Sequence, residues 1–363
     1  MARKNFAVMS VAAQEDNLGD VEIRKKLFDR IRTQDIDIVA FCGTSSPEYM
    51  EAFGDALRCS WFTSMIKMQL EVLRRCLVGQ SMHFFIAPGP ARFSSKPRAL
   101  AKSLVNFMNM ALARLTGGAA HIVGRAYRGS GTSRAIEVLS AKLATTATVR
   151  DDMSFTAIGG RARVMPDLAF ASDLTFDGPR NYLAISLRVE PDLSAAHVES
   201  IVKASRAAGL EPVFVTQVRR DNEWMLELAR QHGAEIVAWT TETHRLQRER
   251  VGLAYRKAAA VVSNRLHGLI IGALAGATPV PVVSSMNTKL VPTLRVVFPE
   301  IQVISECALN DKSGYKLKAA LETAASSRAQ MREPLAVARE VLEQHLDRVV
   351  QRMSPKKPEL QDW

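Results

Sequence analysis

Arg265 and His267 stand two residues apart in the segment AAAVVSNRLHGLIIGALAG. AAAVV reads as a buried strand ending near Val262, Ser263–Asn264 as a turn, and LIIGALAG as a helix starting around Arg265 and buried on every side. A helix that leaves the carboxyl end of a strand opens its N-terminus into a crevice, where free N–H groups and the helix dipole favour an anion. A guanidinium there can grip a carboxylate or phosphate through two parallel hydrogen bonds, and a neighbouring imidazole can trade a proton. Taken alone, such a pair is more often a capping arginine and a satisfied core histidine.

Other cations fall at comparable places. Arg150, in TATVRDDMS, ends a strand-like run, with Asp151 and Asp152 able either to pair with it or to cap the next element. Lys289, in SSMNTKL, comes after the strand TPVPVVS and serves equally as a solvated loop cation. Near the N-terminus, the turn NLGD joins a first strand to a first helix. Gly19 permits a tight turn, and Asp20 can cap the helix, the commoner role, or receive a sugar hydroxyl.

The elements that must position these residues alternate. In the second half, NYLAISLR, EPVFVTQV, AEIVAW, AAAVVS and TPVPVVS read as strands. Between them, Ser194 is placed to cap a helix facing inward with Val198, Ile201, Val202 and Ser205 and stopped by Gly209. Asp221 is placed to cap another, carrying Trp224, Met225, Leu228 and Ala229 and stopped by Gly233. The first half repeats the rhythm with NFAVMSV, DIDIVAF, MHFFIAP and AAHIVGR. Its helix from Pro97 to Leu115 carries Leu100, Leu104, Phe107, Met108, Ala111 and Leu115 on one face. The expected fold class is α/β, with two doubly wound, Rossmann-like domains. They are expected at residues 1–177 and 178–332, joined by TFDGPR, with an amphipathic helix and tail at 333–363 packing across both.

A chain of 363 residues suits two domains, and 47% apolar with 23% charged residues is ordinary for a globular protein. Its four cysteines lack CxxC spacing and a nearby histidine pattern, which points away from zinc and disulfides and toward a reducing cytoplasm. The N-terminal NFAVMSVAA is brief and strand-like, and no apolar run reaches the ~18 residues of a membrane span. The reading is of a cytoplasmic protein. Of the net charge of +11, the stretch Arg58–Arg134 alone carries twelve Lys/Arg against a single acid, Glu71. Such a stretch is either a solvated face or a surface for an anionic partner.

The motif S-x-R-L-H-G (Ser263, Arg265, Leu266, His267, Gly268), then Gly276 and Pro279, resembles the C-terminal signature of the polysaccharide pyruvyltransferase family. Four further matches fall in that family's order: Asn17, Gly19 and Asp20; Val149, Arg150, Asp151 and Ser154; Pro166–Phe170 (PDLAF); and Ser186–Arg188 (SLR). The resemblance spans nearly the whole chain. It departs at APGP, Ala87–Pro90, where a glycine-rich turn is usual, and in a slightly long Lys289 loop.

The resemblance implies a GT-B-like fold, with phosphoenolpyruvate held in the interdomain cleft. Arg150, Arg265, Lys289 and Ser263 would hold that donor, and His267 with Arg265 would be catalytic. Asn17, Gly19 and Asp20 become acceptor-side candidates in the first domain. The implied reaction moves a pyruvyl group onto two hydroxyls of a cell-surface sugar, forming a cyclic ketal and releasing phosphate, with no cofactor and no metal. The implied acceptor is a lipid-diphosphate-linked saccharide at the inner face of the plasma membrane. The basic stretch could then meet anionic lipid, through Lys67, Arg74 and Arg75 on a helix whose other face carries Trp61, Met65, Met68 and Val72. The alternative on the same fold is a nucleotide-sugar glycosyltransferase, for which Glu242 is the lone acid suited to a ribose. Nucleic acid is not an expected partner, because the basic stretch has few aromatics for stacking.

Overall fold

Strands that read as continuous apolar runs need cover on both faces, and helices on either side of a parallel sheet supply it. The computed structural model describes residues 4–54, 57–175, 178–191, 193–283, 290–311 and 314–353. Packing divides the chain into two compact units, one of Met1–Ala13, Ile23–Met165 and Glu343–Trp363, the other of Gln14–Glu22 and Pro166–Leu342. The division thus falls at 165/166 rather than 177/178, and two segments change sides. Two of the boundaries, at 22/23 and 342/343, fall inside continuous helices, Leu18–Arg32 and Arg332–Gln351, so no turn marks them.

Among the described residues, the first unit holds eight parallel strands: β1 (Asn5–Ser10), β2 (Asp37–Phe41), β3 (Cys59–Phe62), β4 (Ser81–Ile86), β5 (Gly89–Phe93), β6 (Ala120–Gly129), β7 (Thr146–Val149) and β8 (Arg163–Val164). Their order is β3-β2-β1-β4-β6-β7-β8, with β5 beside β6. Val8 lies in register between Val39 and Phe84, and these join Phe6, Ile86 and Ile122 in one buried cluster.

Two helices of this unit depart from expectation. Leu104, Met108 and Leu115 of Pro97–Leu115 are 48%, 60% and 83% exposed, while Ser103, Met110 and Ala113 face inward. That helix is apolar on more than one side, so periodicity alone does not select the buried face. In the Met65–Leu77 helix, Met68 and Val72 enter the core, but Trp61 belongs to β3 instead and stacks on Phe28 with ring centroids 5.4 Å apart. Arg75, expected at the surface, is buried and bound to Asp37 at 2.9 Å and Glu71 at 2.7 Å.

The second unit holds β9 (Tyr182–Ser186), β10 (Glu211–Val215), β11 (Glu235–Val237), β12 (Ala258–Ser263), β13 (Thr278–Val283) and β14 (Ile304–Ser305), in the order β11-β10-β9-β12-β13-β14. The Ala195–Ala207 helix carries the expected Ser194 cap and buries Val198, Ile201, Val202 and Ser205. The Asn222–His232 helix ends at Gly233 with φ 55°, a left-handed position that suits glycine. Both sheets grow outward from a first strand and then cross back. Each therefore has a switch point, between β1 and β4 in one and between β9 and β12 in the other. Open α/β sheets bind their ligands at the carboxyl side of such points.

Candidate active site

At the switch point of the second unit, Ser263 of β12 lies in register with Ser186 of β9. The Ser263 hydroxyl donates to the Ser186 carbonyl and accepts from the Arg265 N–H at 2.9 Å, and the residue is fully buried. Ser263 thus ties two strand ends to the start of the next helix. Its hydroxyl proton and one lone pair are engaged within the fold. Asn264 adds a clamp: its Oδ1 accepts from Arg188 N at 2.8 Å and its Nδ2 donates to Arg188 O at 3.0 Å.

The next helix, Leu266–Leu274, buries nearly every residue. Gly272 lets it approach β12 closely, since a Cβ there would lie 2.5 Å from Val261 Cγ2. Arg265, just before this helix, is held by its Nη2, which donates to both carboxylate oxygens of Asp221 at 2.7 and 2.5 Å. Asp221 makes no capping bond, contrary to expectation; its carboxylate serves Arg265 instead. Nη1 and Nε of Arg265 make no hydrogen bond among the described residues. Burial raises the Asp221 carboxyl above its ordinary range and lowers the Arg265 guanidinium, and the attraction between them offsets this only in part.

His267 lies two residues further on, in the first turn of the helix, and is 8% exposed. Its Nε2 sits 3.7 Å from Asp167 Oδ1, within ion-pair range but beyond a hydrogen bond. Asp167 is buried, and its Oδ1 accepts from Ala169 N at 3.0 Å, which fixes the carboxylate at the imidazole. The other side of the ring lies on Gly19: a Cβ at that position would fall 2.1 Å from His267 Cγ and Nδ1.

Asn17, Gly19 and Asp20 therefore pack with the second unit, not with the first domain where they were expected. The turn is fastened to the segment after β10. Asn17 bridges Val218, Leu18 N donates to Gln217 O at 3.4 Å, and Arg219 N donates to Asp16 O at 2.8 Å. Arg220 grips Asp16 through two bonds, at 2.5 and 2.6 Å; burial raises the Asp16 carboxyl, but Arg220 outweighs it and the net shift is downward. Asn17 Oδ1 accepts from Gly19 N at 3.1 Å, and Asp20 is buried in the first turn of its helix.

The remaining candidates lie elsewhere in the chain. Arg150 belongs to the first unit, directly after β7, with its N–H donating to Arg125 O at 3.1 Å. The neighbouring Asp151 pairs with Arg128 at 2.6 Å and caps the Asp152–Ala157 helix. Lys289 lies outside the described residues. Sequence reasoning missed Asp167 and Asp221 as partners of His267 and Arg265. Asp167 sat within the matched PDLAF motif, and that was the available signal. Among the described residues, no three His, Cys, Asp or Glu side chains could hold a metal ion together.

Comparison with known proteins bears on this geometry. No curated protein matches the sequence. Among solved structures, MurG of Acinetobacter baumannii is 13% identical with a TM-score of 0.52, covering 96% of this chain and 99% of that one. The UDP-GlcNAc 2-epimerase of Methanocaldococcus jannaschii is 8% identical with a TM-score of 0.56, covering 94% and 99%. A likeness at this identity speaks to fold, and the fold is GT-B-like: α/β with two Rossmann-like domains. The family model for polysaccharide pyruvyl transferase matches residues 17–285, a span that runs from the Asn17 turn through the whole Arg265–His267 site. With that span matched, the chain belongs to the polysaccharide pyruvyl transferase family, transferases of polysaccharide biosynthesis.

Proposed function

We propose that this enzyme transfers the pyruvyl group of phosphoenolpyruvate to two hydroxyls of a saccharide precursor, forming a cyclic ketal. The observation that carries the reading is the pairing of a buried, carboxylate-backed imidazole with a guanidinium two residues before it, at the start of the same helix. His267 donates a proton to the methylene carbon of the donor, which makes the central carbon electrophilic. One sugar hydroxyl adds there, the bond to the phosphate oxygen breaks, and the second hydroxyl adds in its place. Of the two hydroxyl protons released, one restores His267 and the other leaves on phosphate. Arg265, oriented by Asp221, offers Nη1 and Nε to the donor's carboxylate or phosphate. Arg150 and Lys289 enter as further donor residues on the family motif alone.

Glycosyl transfer on the same fold finds less support. Glu242, the acid suited to a ribose, is engaged by Thr240 N at 2.8 Å and by Arg250. We place the acceptor on a lipid diphosphate and the protein at an anionic membrane surface. Among the described residues, no helix is long and apolar enough to cross a membrane. The test is incubation with phosphoenolpyruvate and lipid-linked saccharide, following phosphate release and the ketal methyl signal by NMR. Transfer from a nucleotide sugar, with no phosphate release from phosphoenolpyruvate, would overturn the reading.

A further inference from the structure

At the carboxyl ends of β1 and β4, the switch point of the first unit, lies a pocket of about 110 Å³. Arg24, Lys102 and Arg125 line it together with Asn106 and Asn109, and no carboxylate among the described residues does. Arg24 and Arg125 are 9% and 7% exposed, so two of these charges are held largely out of water. A buried guanidinium is costly while a donor stays unmet, and Arg125 keeps such a donor among the described residues.

The pocket is built rather than incidental. Arg125 Nη1 donates to Ala87 O at 2.8 Å, which anchors the Ala87–Pro90 turn to β6, and its buried Nε has no hydrogen-bond partner among the described residues. Gly89 adopts φ 111°, open to glycine, and a Cβ there would lie 3.5 Å from Arg24 Nη2. The APGP turn thus closes one wall. Lys102 stands at the exposed rim of the pocket, where partial loss of hydration and then repulsion from Arg125 and Arg24 hold its ammonium below its ordinary range. Glu137, the nearby acid, is engaged by Ser103 Oγ at 2.7 Å and Tyr127 OH at 3.4 Å.

We infer that this pocket binds a phosphoryl group through Arg24, Lys102 and Arg125. Its volume is small beside the ~300–1,000 Å³ of whole-ligand pockets, so it suits one anionic group of a larger molecule. Two sources share that chemistry: the diphosphate of a lipid-linked acceptor, and the phosphate of the donor. The source depends on the proposed reaction, but the binding itself does not.

Calorimetric titration of the full chain with inorganic pyrophosphate at low salt tests it. Lys102 is exposed, so Lys102→Ala should fold normally; it is expected to weaken binding about ten-fold or more, the effect of one charge-assisted bond. Lys142→Ala, at a solvated position of the Ser133–Leu143 helix, should bind as the parent does. Competition then separates the sources. Displacement by a soluble lipid-diphosphate analogue assigns the pocket to the acceptor, and displacement by phosphoenolpyruvate assigns it to the donor. Absent binding, or binding that survives Lys102→Ala and disappears in Arg265→Ala, overturns the inference. None of these readouts requires pyruvyl transfer, so failure of the proposed reaction would register separately.

Discussion

The imidazole of His267 rests on the backbone of Gly19, so closely that a β-carbon at Gly19 would fall 2.1 Å from two ring atoms. Residues 248 positions apart in the chain are thereby coupled by shape: the first helix can start where it does only because position 19 has no side chain, and the ring keeps its place against Asp167 only while that space stays open.

The coupling makes a prediction by double-mutant cycle. Gly19→Ala should displace the ring and destabilise the protein by about 1–3 kcal/mol, the usual effect of overpacking. It should also reduce turnover sharply. In a His267→Ala background, which itself should lose ~10²–10⁴-fold in turnover, the same change should have little further effect on either quantity. Equal Gly19→Ala penalties in both backgrounds, read from urea melts and initial rates, would separate the two residues.

Asp167 and Asp221 should fail in opposite ways. Asp167 backs the imidazole, so Asp167→Asn should lower kcat while leaving KM for phosphoenolpyruvate near the parent value. Asp221 holds the Nη2 of Arg265, so Asp221→Asn should raise that KM roughly ten-fold, as expected for loosening a charge-assisted contact, with a smaller change in kcat. Steady-state kinetics on both variants decide it. Matching losses in the two would mean that the aspartates only support the fold.

Much of this arrangement was legible in the sequence, and the gaps have physical causes. Strands β9, β10, β12 and β13 and the Ala195–Ala207 helix came directly from hydropathy, because a buried parallel strand leaves an unbroken apolar run, whereas the two-residue β14 is too short to leave one. The partners of the cations did not. Asp221 precedes a helix and reads as its cap, and only the tertiary approach of Arg265 reassigns it. The Asn17 turn reads as part of the first domain because chain order places it there, whereas backbone bonds to Gln217 and Val218 fasten it to the second. The Pro97–Leu115 helix misled because its exposed face is also apolar.

Three histidines of the first unit set a pH dependence of stability. Burial lowers His83 and His345 to about 4, and burial together with the charge of His83 lowers His121 to about 3. A histidine with a depressed folded value stays neutral in the native state while the unfolded chain takes up its proton below pH ~6.5. Stability is therefore full above that point and falls as the medium is acidified toward the folded values, by up to about 1.4 kcal/mol per pH unit for each histidine. The carboxylates held low by arginines, such as Asp16 and Asp151, contribute only in more acidic solution. Chemical denaturation at pH 7 and 5 should show the loss, and His83→Gln should flatten it. A flat profile across that interval would contradict neutral burial.

The surface of the first unit carries the last prediction. The Met65–Leu77 and Pro97–Leu115 helices leave Ile66, Leu70, Leu77, Met108 and Leu115 more than half exposed. Lys67, Arg74, Lys96, Arg98 and Arg114 are exposed on or beside the same two helices, although Arg74 also pairs with Glu71 at 2.7 Å. Apolar side chains flanked by cations match an anionic bilayer, where the former enter the interface and each of the latter adds about 1 kcal/mol. This is not the face that hydropathy first suggests, since Met68 and Val72 are core and Arg75 is buried. The protein should sediment with vesicles containing phosphatidylglycerol at low salt and be partly released as salt screens the charge. Leu70→Glu with Leu77→Glu should abolish sedimentation and leave the melting temperature near that of the parent, because neither side chain is in the core. Equal recovery from neutral and anionic vesicles at every salt concentration would leave these helices without a membrane to meet.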